Sequence, residues 1–224
     1  MSELQDRLER LILRLDHMGM RAEQAVNDAL RAARRGDVEA GRRVHEQDAR
    51  IDREEVEIEQ ECIRLLALYQ PAAIDLRTLC TVIKVNNDLE RIADLAANIG
   101  KRVGELVDHE IRMEDYPLCQ ALISESQDVL GRTVRMIAAP DASAARTVID
   151  QDRKVDDGYH RLVASVLDFE DRRVGGAGPA LAMINLAKAL ERIGDLCTNI
   201  AEDLIFLRTG DIVRHSDARE GDET

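Results

Sequence analysis

Two pairs of acidic residues stand four positions apart in a stretch that the chain repeats. The first pair is Glu90 and Asp94, and the second, 101 positions later, is Glu191 and Asp195. Both pairs are embedded in the same pattern, Leu-Glu-Arg-Ile-x-Asp-Leu-x-x-Asn-Ile. On a helix, a spacing of four places both carboxylates on one face, about one 5.4 Å turn apart, where they can bind a cation together. The repetition indicates an internal duplication, so we expect this chemistry twice.

Each of these pairs has an acidic counterpart earlier in its half of the chain. Residues 46–52 and 150–156 match in register, with three acidic positions and one glutamine in common. In both stretches two aspartates are again four apart. If the two stretches of each half lie on adjacent helices, their carboxylates converge as they do in helical bundles that hold metals. The candidate metal ligands are therefore eight residues: Asp48, Asp52, Glu90, Asp94, Asp152, Asp156, Glu191 and Asp195.

Several readings of these acids compete. Two like charges four apart on a helix destabilise it by about 0.2–0.5 kcal/mol, which favours a compensating positive charge beside them. On the other hand, an acidic helix face that is simply solvated is common in a chain with 44 acidic residues. Arg91 and Arg192 could compensate the charges by ordinary salt bridges, or a cation could do so. An all-oxygen ligand set favours Mg, Mn, Ca or ferric iron over zinc. Neither motif carries the Glu-x-x-His of di-iron oxidases, so we do not expect oxidase chemistry.

The net charge and the absence of certain motifs exclude several classes of function. A formal net charge of −13 argues against binding to nucleic-acid phosphates or to an anionic membrane. No window approaches about 18 uninterrupted apolar residues, and the first residues lack a secretory signal, which predicts a cytoplasmic protein without membrane insertion. The sequence contains no GxGxxG, no P-loop lysine and no GxSxG elbow. The four cysteines lack a CxxC spacing and are predicted to be reduced structural thiols: Cys62, Cys80, Cys119 and Cys197.

Composition and periodicity predict an all-α fold. Hydrophobic residues make up 45% of the chain but aromatic residues only 2%, which favours an aliphatic core between long helices. In the first half, a capping box at Ser2 begins a helix, and Gly36 followed by Asp37 predicts a tight turn into a second helix. Pro71 ends that helix, and a third continues to Val103. Three long helices joined by short turns make an antiparallel bundle.

The second half repeats this plan. Its predicted helices cover residues 117–138, 142–171 and 180–208, with a break at the glycine-rich segment 175–179. We therefore predict six long helices that form two tandem, pseudo-symmetric antiparallel three-helix bundles. The predicted domains are residues 1–108 and 109–212, followed by a disordered acidic tail, 213–224.

Several short motifs in the chain resemble those of one known family. They are Met18-Gly19, Gln70-Pro71-Ala72-Ala73, Asp75-Leu76-Arg77 and the two copies of Leu-Glu-Arg-Ile-x-Asp. On these residues, and over roughly residues 3 to 208, the chain resembles the PhoU family of phosphate-signalling regulators. The resemblance implies a PhoU-like pair of bundles, usually a homodimer, with multinuclear metal clusters at the eight carboxylates named above. Iron is the first metal that it suggests, with magnesium, manganese or zinc as the other candidates.

The resemblance also implies a function. PhoU-like proteins are regulators and not enzymes: they connect the ATPase of the phosphate ABC transporter to a sensor histidine kinase, and keep the phosphate-starvation genes off when phosphate is plentiful. The alternative is a metal-storing or metal-dependent redox bundle. A third possibility is a structural bundle whose acids only face solvent.

The chain departs from the family pattern at a few positions. Ala93 in the first motif replaces the glycine found at Gly194, and Leu95 and Leu196 stand where a histidine commonly follows the aspartate. We expect these changes to have little effect on the carboxylates. The second half also lacks an Asp-Leu-Arg sequence. A partner contact made through that sequence in the first half would therefore have no counterpart in the second.

Overall fold

The computed structural model describes residues 2–168 and 177–213, and most of these residues are helical. The long helices are α1 (Glu3–Arg35), α2 (Val38–Tyr69), α3 (Ala73–Lys101), α5 (Pro117–Arg135), α6 (Ala142–Leu167) and α7 (Ala177–Thr209). The short helix α4 (Val103–Asp108) and a 3₁₀ turn (Met113–Asp115) connect the two halves. The described residues contain no β-strand, so the all-α prediction is confirmed. None of their helices combines the length and the apolar character that a membrane crossing requires.

The ends of α1 and α2 follow local signals in the sequence. The Ser2 side chain accepts a hydrogen bond from the backbone of Gln5, and the Gln5 side chain accepts one from the backbone of Ser2, so the predicted capping box begins α1. Gly36 ends α1 in the left-handed conformation, with φ of 64°, and Asp37 caps α2. Because this connection is only two residues long, α1 and α2 run antiparallel.

Several predicted helix ends differ from the structure. The fourth helix, predicted to reach residue 138, ends as α5 at Arg135. The apolar pattern predicts that the third helix continues through Val103, but α3 ends at Lys101 and α4 starts at Val103. The last helix begins before the predicted residue 180 and already contains Gly178 and Pro179. Proline is tolerated there because the first turn of a helix has no acceptor for its missing N–H. Residues 169–176, with the predicted end of the fifth helix at Asp171, and residues 214–224 of the predicted tail lie outside the described residues.

The two halves are built alike, with one helix of each triplet on the outside. The three long helices of each half pack against one another, and the halves meet where α3 packs on α7 and α1 packs on α5. In contrast, α2 and α6 contact only elements of their own half. Burial follows this placement, since 14 of the 29 residues of α3 are buried but only 6 of the 32 residues of α2. The prediction of two antiparallel three-helix bundles is confirmed, and α3 and α7 lie at the centre.

One apolar core runs through both bundles, and polar pairs also cross between them. Lys84 on α3 lies 3.0 Å from a carboxylate oxygen of Asp203 on α7. Gln127 on α5 donates a hydrogen bond to Asn27 on α1 at 2.6 Å. The bundles therefore form one packed body, which the sequence repeat alone does not predict.

Candidate metal sites on the two outer helix seams

Each group of candidate ligands lies along the seam between an outer helix and an inner helix. In the first half, Ile51 of α2 and Leu89 and Ile92 of α3 are buried in the core. The acidic residues beside them are left at the edge of this seam. We call Asp48, Asp52, Glu90 and Asp94 the first carboxylate site. The second carboxylate site, between α6 and α7, consists of Asp152, Asp156, Glu191 and Asp195.

Three of the four predicted ligands converge at the second carboxylate site. Asp152 and Asp156 of α6 and Asp195 of α7 each offer a carboxylate oxygen, and these oxygens lie within 4.8 Å of one another. Oxygen ligands bind a calcium ion at about 2.3–2.6 Å, so two ligands of one ion lie at most about 5 Å apart. The three oxygens are therefore close enough to share a cation. No other group of acidic, histidine or cysteine residues in the described part of the chain meets this spacing.

The fourth predicted ligand, Glu191, has a different partner. Lys188, one turn earlier on α7, donates hydrogen bonds to both of its carboxylate oxygens, at 2.7 and 2.8 Å. The same ammonium lies 5.2 Å from the ring of Tyr159 on α6. Glu191 is therefore partly neutralised and lies outside the trio of aspartates.

Asp152 is the most deeply placed of the eight acids, with 7% of its surface exposed. Thr198 of α7 donates a hydrogen bond from Oγ1 to Oδ2 of Asp152 at 2.9 Å. Its other oxygen, Oδ1, is buried and has no hydrogen-bond partner among the described residues. Space for Oδ1 exists because residue 194 is glycine, since a Cβ at Gly194 would overlap it. The glycine of the second motif therefore makes room for the most deeply buried carboxylate of the second site.

The second carboxylate site carries negative charge that the protein does not fully compensate. Burial raises the pKa of Asp152 to about 6; the hydrogen bond from Thr198 opposes the rise, and the neighbouring carboxylates add to it. Desolvation and then the charge of Glu191 raise the pKa of Asp156 and of Asp195 as well. A cation lowers such pKa values because it stabilises the ionised carboxylates.

The first carboxylate site gathers its four residues more loosely. Asp48 and Glu90 are partly buried, whereas Asp52 and Asp94 are exposed. Desolvation raises the pKa of Asp48, and the charges of Asp52 and Asp94 raise it further. Desolvation also raises the pKa of Glu90, followed by the charges of the other three site residues and of Glu55. The four predicted acids therefore share one electrostatic environment.

The residues that hold the buried aspartate of the second site have no equivalents at the first. In the aligned motifs, Ala93 and Ala97 occupy the positions of Gly194 and Thr198. Both alanines are 1% exposed, and their side chains have no hydrogen-bond donor. Oδ1 of Asp48 is nevertheless buried without a hydrogen-bond partner in the described residues, beside a cleft of about 90 Å³ that Ala93 also lines.

The side chains at both sites fit a hard cation. Each site has one buried carboxylate oxygen, on Asp48 or Asp152, without a hydrogen-bond partner among the described residues. Leaving a buried polar atom unpaired costs about 1–3 kcal/mol, and more for a charged group, unless a ligand satisfies it. The predicted ligands at both sites are all carboxylates, which favours Mg, Mn, Ca or ferric iron.

The residues that compensate the acids differ in part from those predicted. Arg91 pairs with Asp88 at 3.4 Å and not with the acids of the motif. At the second site it is Lys188 that pairs with Glu191. A lysine three residues before a glutamate is a helix-surface pairing pattern, so this contact could have been found in the sequence.

Sequence reasoning also missed three residues that act on the sites. Gly194 and Thr198 differ from their counterparts in the first motif, and these differences were the available signal. Glu55 follows Asp52 by three positions, so it shares a helix face with that acid and extends the first site. Only packing between helices shows what the first two residues do.

Comparison with known protein families identifies the family of this chain. A family model described as the PhoU domain matches it twice, at residues 15–103 and 121–204. The chain belongs to the PhoU family. Each matched segment contains the residues of one carboxylate site. The resemblance inferred from the motifs is therefore confirmed.

Relatives and solved structures of PhoU proteins match nearly the whole chain. It is 33% identical over 217 residues to the phosphate-specific transport system accessory protein PhoU of Edwardsiella tarda, covering 93% of this chain and 85% of that protein. The crystal structure of PhoU from Pseudomonas aeruginosa has a TM-score of 0.87 at 33% identity and covers 93% of this chain and 100% of that chain. The phosphate transport system regulatory protein PhoU from Streptococcus pneumoniae has a TM-score of 0.85 at 26% identity, covering 94% and 99%.

Proposed function

We propose that this PhoU-family chain is a cytoplasmic negative regulator of phosphate uptake and of the phosphate-starvation genes. It acts as an adaptor between the ATPase of the phosphate ABC transporter and a sensor histidine kinase, forms a homodimer and catalyses no reaction. The observation that carries this proposal is the match over 93% of the chain to a relative named as an accessory protein of the phosphate-specific transport system. The names of the relatives described above give no support to a metal-storing or redox bundle.

The proposed role of the two carboxylate sites is to shape the surfaces of the adaptor. Their eight acids repel one another along both seams, and a multinuclear metal cluster, with iron as the first candidate, would supply the opposing positive charge. Asp152, Asp156 and Asp195 are the ligands proposed at the second site, with Glu191 at its rim. Asp48, Asp52, Glu90 and Asp94 are those proposed at the first. With the acids neutralised, each seam becomes a rigid surface on which a partner can dock.

Deleting the gene in its own host tests the regulatory proposal. We expect the phosphate-starvation genes to stay active in phosphate-rich medium, and the intact gene on a plasmid to silence them again. Transcript levels of the starvation genes, measured in high and low phosphate, give the result. Normal repression in the deletion strain would contradict the proposal.

Partner binding is tested separately by capture from cells grown in high phosphate. We expect the tagged chain to retain the transporter ATPase and the sensor kinase, both identified by mass spectrometry. If the chain retains neither partner, the adaptor role is contradicted, even if the deletion alters gene expression. Analytical ultracentrifugation of the purified chain tests the homodimer, and a mass of 25.1 kDa at every concentration would contradict it.

Metal content is tested with matched charge-removing variants. Changing Asp152, Asp156 and Asp195 together to Asn should remove most of the metal bound by the second site. The control replaces three exposed acids that belong to neither site with their amides: Glu9, Asp108 and Glu114. Elemental analysis of the purified proteins should show metal loss only in the first variant. Equal metal content in both would show that these carboxylates do not hold it.

A further inference from the structure

An arginine-rich segment lies at the turn between α1 and α2. Residues 31–43 contain five arginines and two acidic residues, in a chain whose net charge is −13. The corresponding turn of the second half, residues 135–146, contains only two arginines. This positive segment belongs to neither carboxylate site, and the duplication does not explain it.

A cleft of about 260 Å³ opens between the last turns of α1 and the first turns of α2. Arginines line it from both helices: Arg31 and Arg35 from α1, and Arg43 from α2. Ala32 and Ala40 also line it, and their small side chains leave the space open. Pockets for drug-sized ligands measure roughly 300–1,000 Å³, so this cleft suits a small ion with some of its water.

The acidic residues of the cleft already have partners. Asp28 pairs with Arg31 at 2.6 Å, and Asp37 accepts a hydrogen bond from the backbone N–H of Ala40 as the cap of α2. In contrast, Arg35 and Arg43 form no ion pair with any residue that the structure describes. Two unpaired guanidinium groups therefore line the cleft, one from each helix.

Guanidinium chemistry indicates what the cleft binds. The planar fork of arginine donates two parallel hydrogen bonds to a phosphoryl oxyanion, and such charge-assisted bonds are stronger than neutral ones. Two forks on opposite helices suit a tetrahedral anion with two or more negative charges. The backbone N–H of Ala40 is occupied by Asp37, so the arginines, and not this helix N–H, supply the donors.

We propose that this cleft binds the phosphoryl group of a small anion, with Arg35 and Arg43 as its donors, while the charge of Arg31 is already paired with Asp28. The anion is either inorganic phosphate or a phosphorylated metabolite, since both carry this group. The proposal goes beyond the regulatory function and does not rest on it. Binding is measured on the purified chain, so its failure leaves the deletion phenotype as it stands.

Isothermal titration calorimetry on the full-length chain tests the proposal. Orthophosphate, pyrophosphate and ATP are titrated separately, with sulfate as a doubly charged control anion. The titrations use the protein as purified and again after metal removal, because phosphate can also bind through a metal. We expect the double variant R35Q/R43Q to bind the preferred anion about ten- to hundredfold more weakly than the wild type, with and without metal.

Two further variants separate a site from general charge. R34Q/R42Q removes the same charge from the same segment, but these residues do not line the cleft, and Arg42 pairs with Glu39. It should bind like the wild type, whereas R35K/R43K, which keeps the charge without the fork, should bind with intermediate affinity. Circular dichroism confirms that each variant is folded. The proposal is overturned if none of the three phosphorylated anions binds, or if R34Q/R42Q weakens binding as much as R35Q/R43Q.

Discussion

The two carboxylate sites contain the same acidic spacing but differ in how their deepest aspartate is held. At the second site Asp152 is 7% exposed, accepts a hydrogen bond from Thr198 and fits beside Gly194. At the first site Asp48 remains partly exposed, and alanines replace both supporting residues. The duplication therefore preserved the candidate ligands and changed the residues around them.

Repetition of the candidate ligands therefore does not make the two sites equivalent. Supporting residues orient metal ligands, and changing them typically costs 10- to 100-fold in metal affinity. Three carboxylate oxygens lie within 4.8 Å of one another at the second site, whereas no such trio forms at the first among the described residues. We therefore expect the second site to bind a hard divalent cation more tightly than the first.

Removing the buried ligand should have the largest effect. We expect Asp152→Asn to weaken cation binding at the second site by about 100-fold or more, beyond the usual effect of supporting residues. Asp48→Asn is the corresponding change at the first site, and it should weaken only the lower-affinity binding that we assign to that site. Calorimetric titration of the metal-free protein with manganese measures both sites. A larger loss of the tight site with Asp48→Asn would reverse the comparison.

Filling the space beside Asp152 should have the next largest effect. Gly194→Ala places a methyl group where Oδ1 lies, so it should weaken the second site roughly 10- to 100-fold. Its effect on stability should be smaller, because overpacking of about 1–3 kcal/mol is partly offset by the better helix propensity of alanine. Ala93→Gly is the matched change at the first site. It should cost about 1 kcal/mol of stability without weakening metal binding there.

Loss of the threonine donor should have a smaller effect. Thr198→Val keeps the shape of the side chain but leaves Oδ2 of Asp152 without its hydrogen bond, and we expect about tenfold weaker binding at the second site. Thr198→Ser keeps the hydroxyl and should bind like the wild type. If serine and valine weaken binding equally, the methyl group of Thr198 matters and the hydrogen bond does not.

The smallest effect concerns the pH dependence of stability in the metal-free protein. The pKa of Asp152 is about 6 in the folded state and 3.8 in the reference state. Below pH 3.8 Asp152 is protonated in both the folded and the unfolded state, so its burial does not lower the free energy of unfolding. Between these values the folded state keeps a proton that the unfolded state releases, so stability falls as pH rises, and above about 6 the cost is constant.

Comparison with Asp152→Asn isolates this contribution, because asparagine does not titrate. Relative to the variant, the wild type should lose on the order of 1 kcal/mol of unfolding free energy between pH 4 and 7, after allowance for solvent screening. Urea denaturation at both pH values, without metal, measures it. A difference between the two proteins that does not change with pH would show that Asp152 titrates normally.

Much of the fold could be predicted because its signals are local. The capping box at Ser2, the Gly36-Asp37 turn and Pro71 each act on the backbone within a few residues, so their effects can be read without tertiary contacts. The start of α7 was harder to predict. Gly178 and Pro179 have low helix propensity, but the first turn of a helix tolerates them, and propensity alone does not distinguish a break from a beginning.

The candidate ligands could be predicted for a similar reason, whereas their environment could not. A spacing of four residues places Glu90 and Asp94 on one helix face in any α-helix. The contact between Gly194 and Asp152 joins residues on different helices, and it depends on how closely α6 packs on α7. The residue pattern along a single helix carries no information about that distance between two helices.

The helices, their duplication and the eight acids follow from the amino-acid sequence alone, because all of them rest on patterns repeated along the chain. That α3 packs on α7 in one continuous core is seen only in the folded molecule. The same holds for the burial of Asp152, which Asp48 does not share, and for the pairing of Glu191 with Lys188. The physical reason is that burial and the geometry of a cation site depend on atoms brought together from distant segments, and their distances are set by packing.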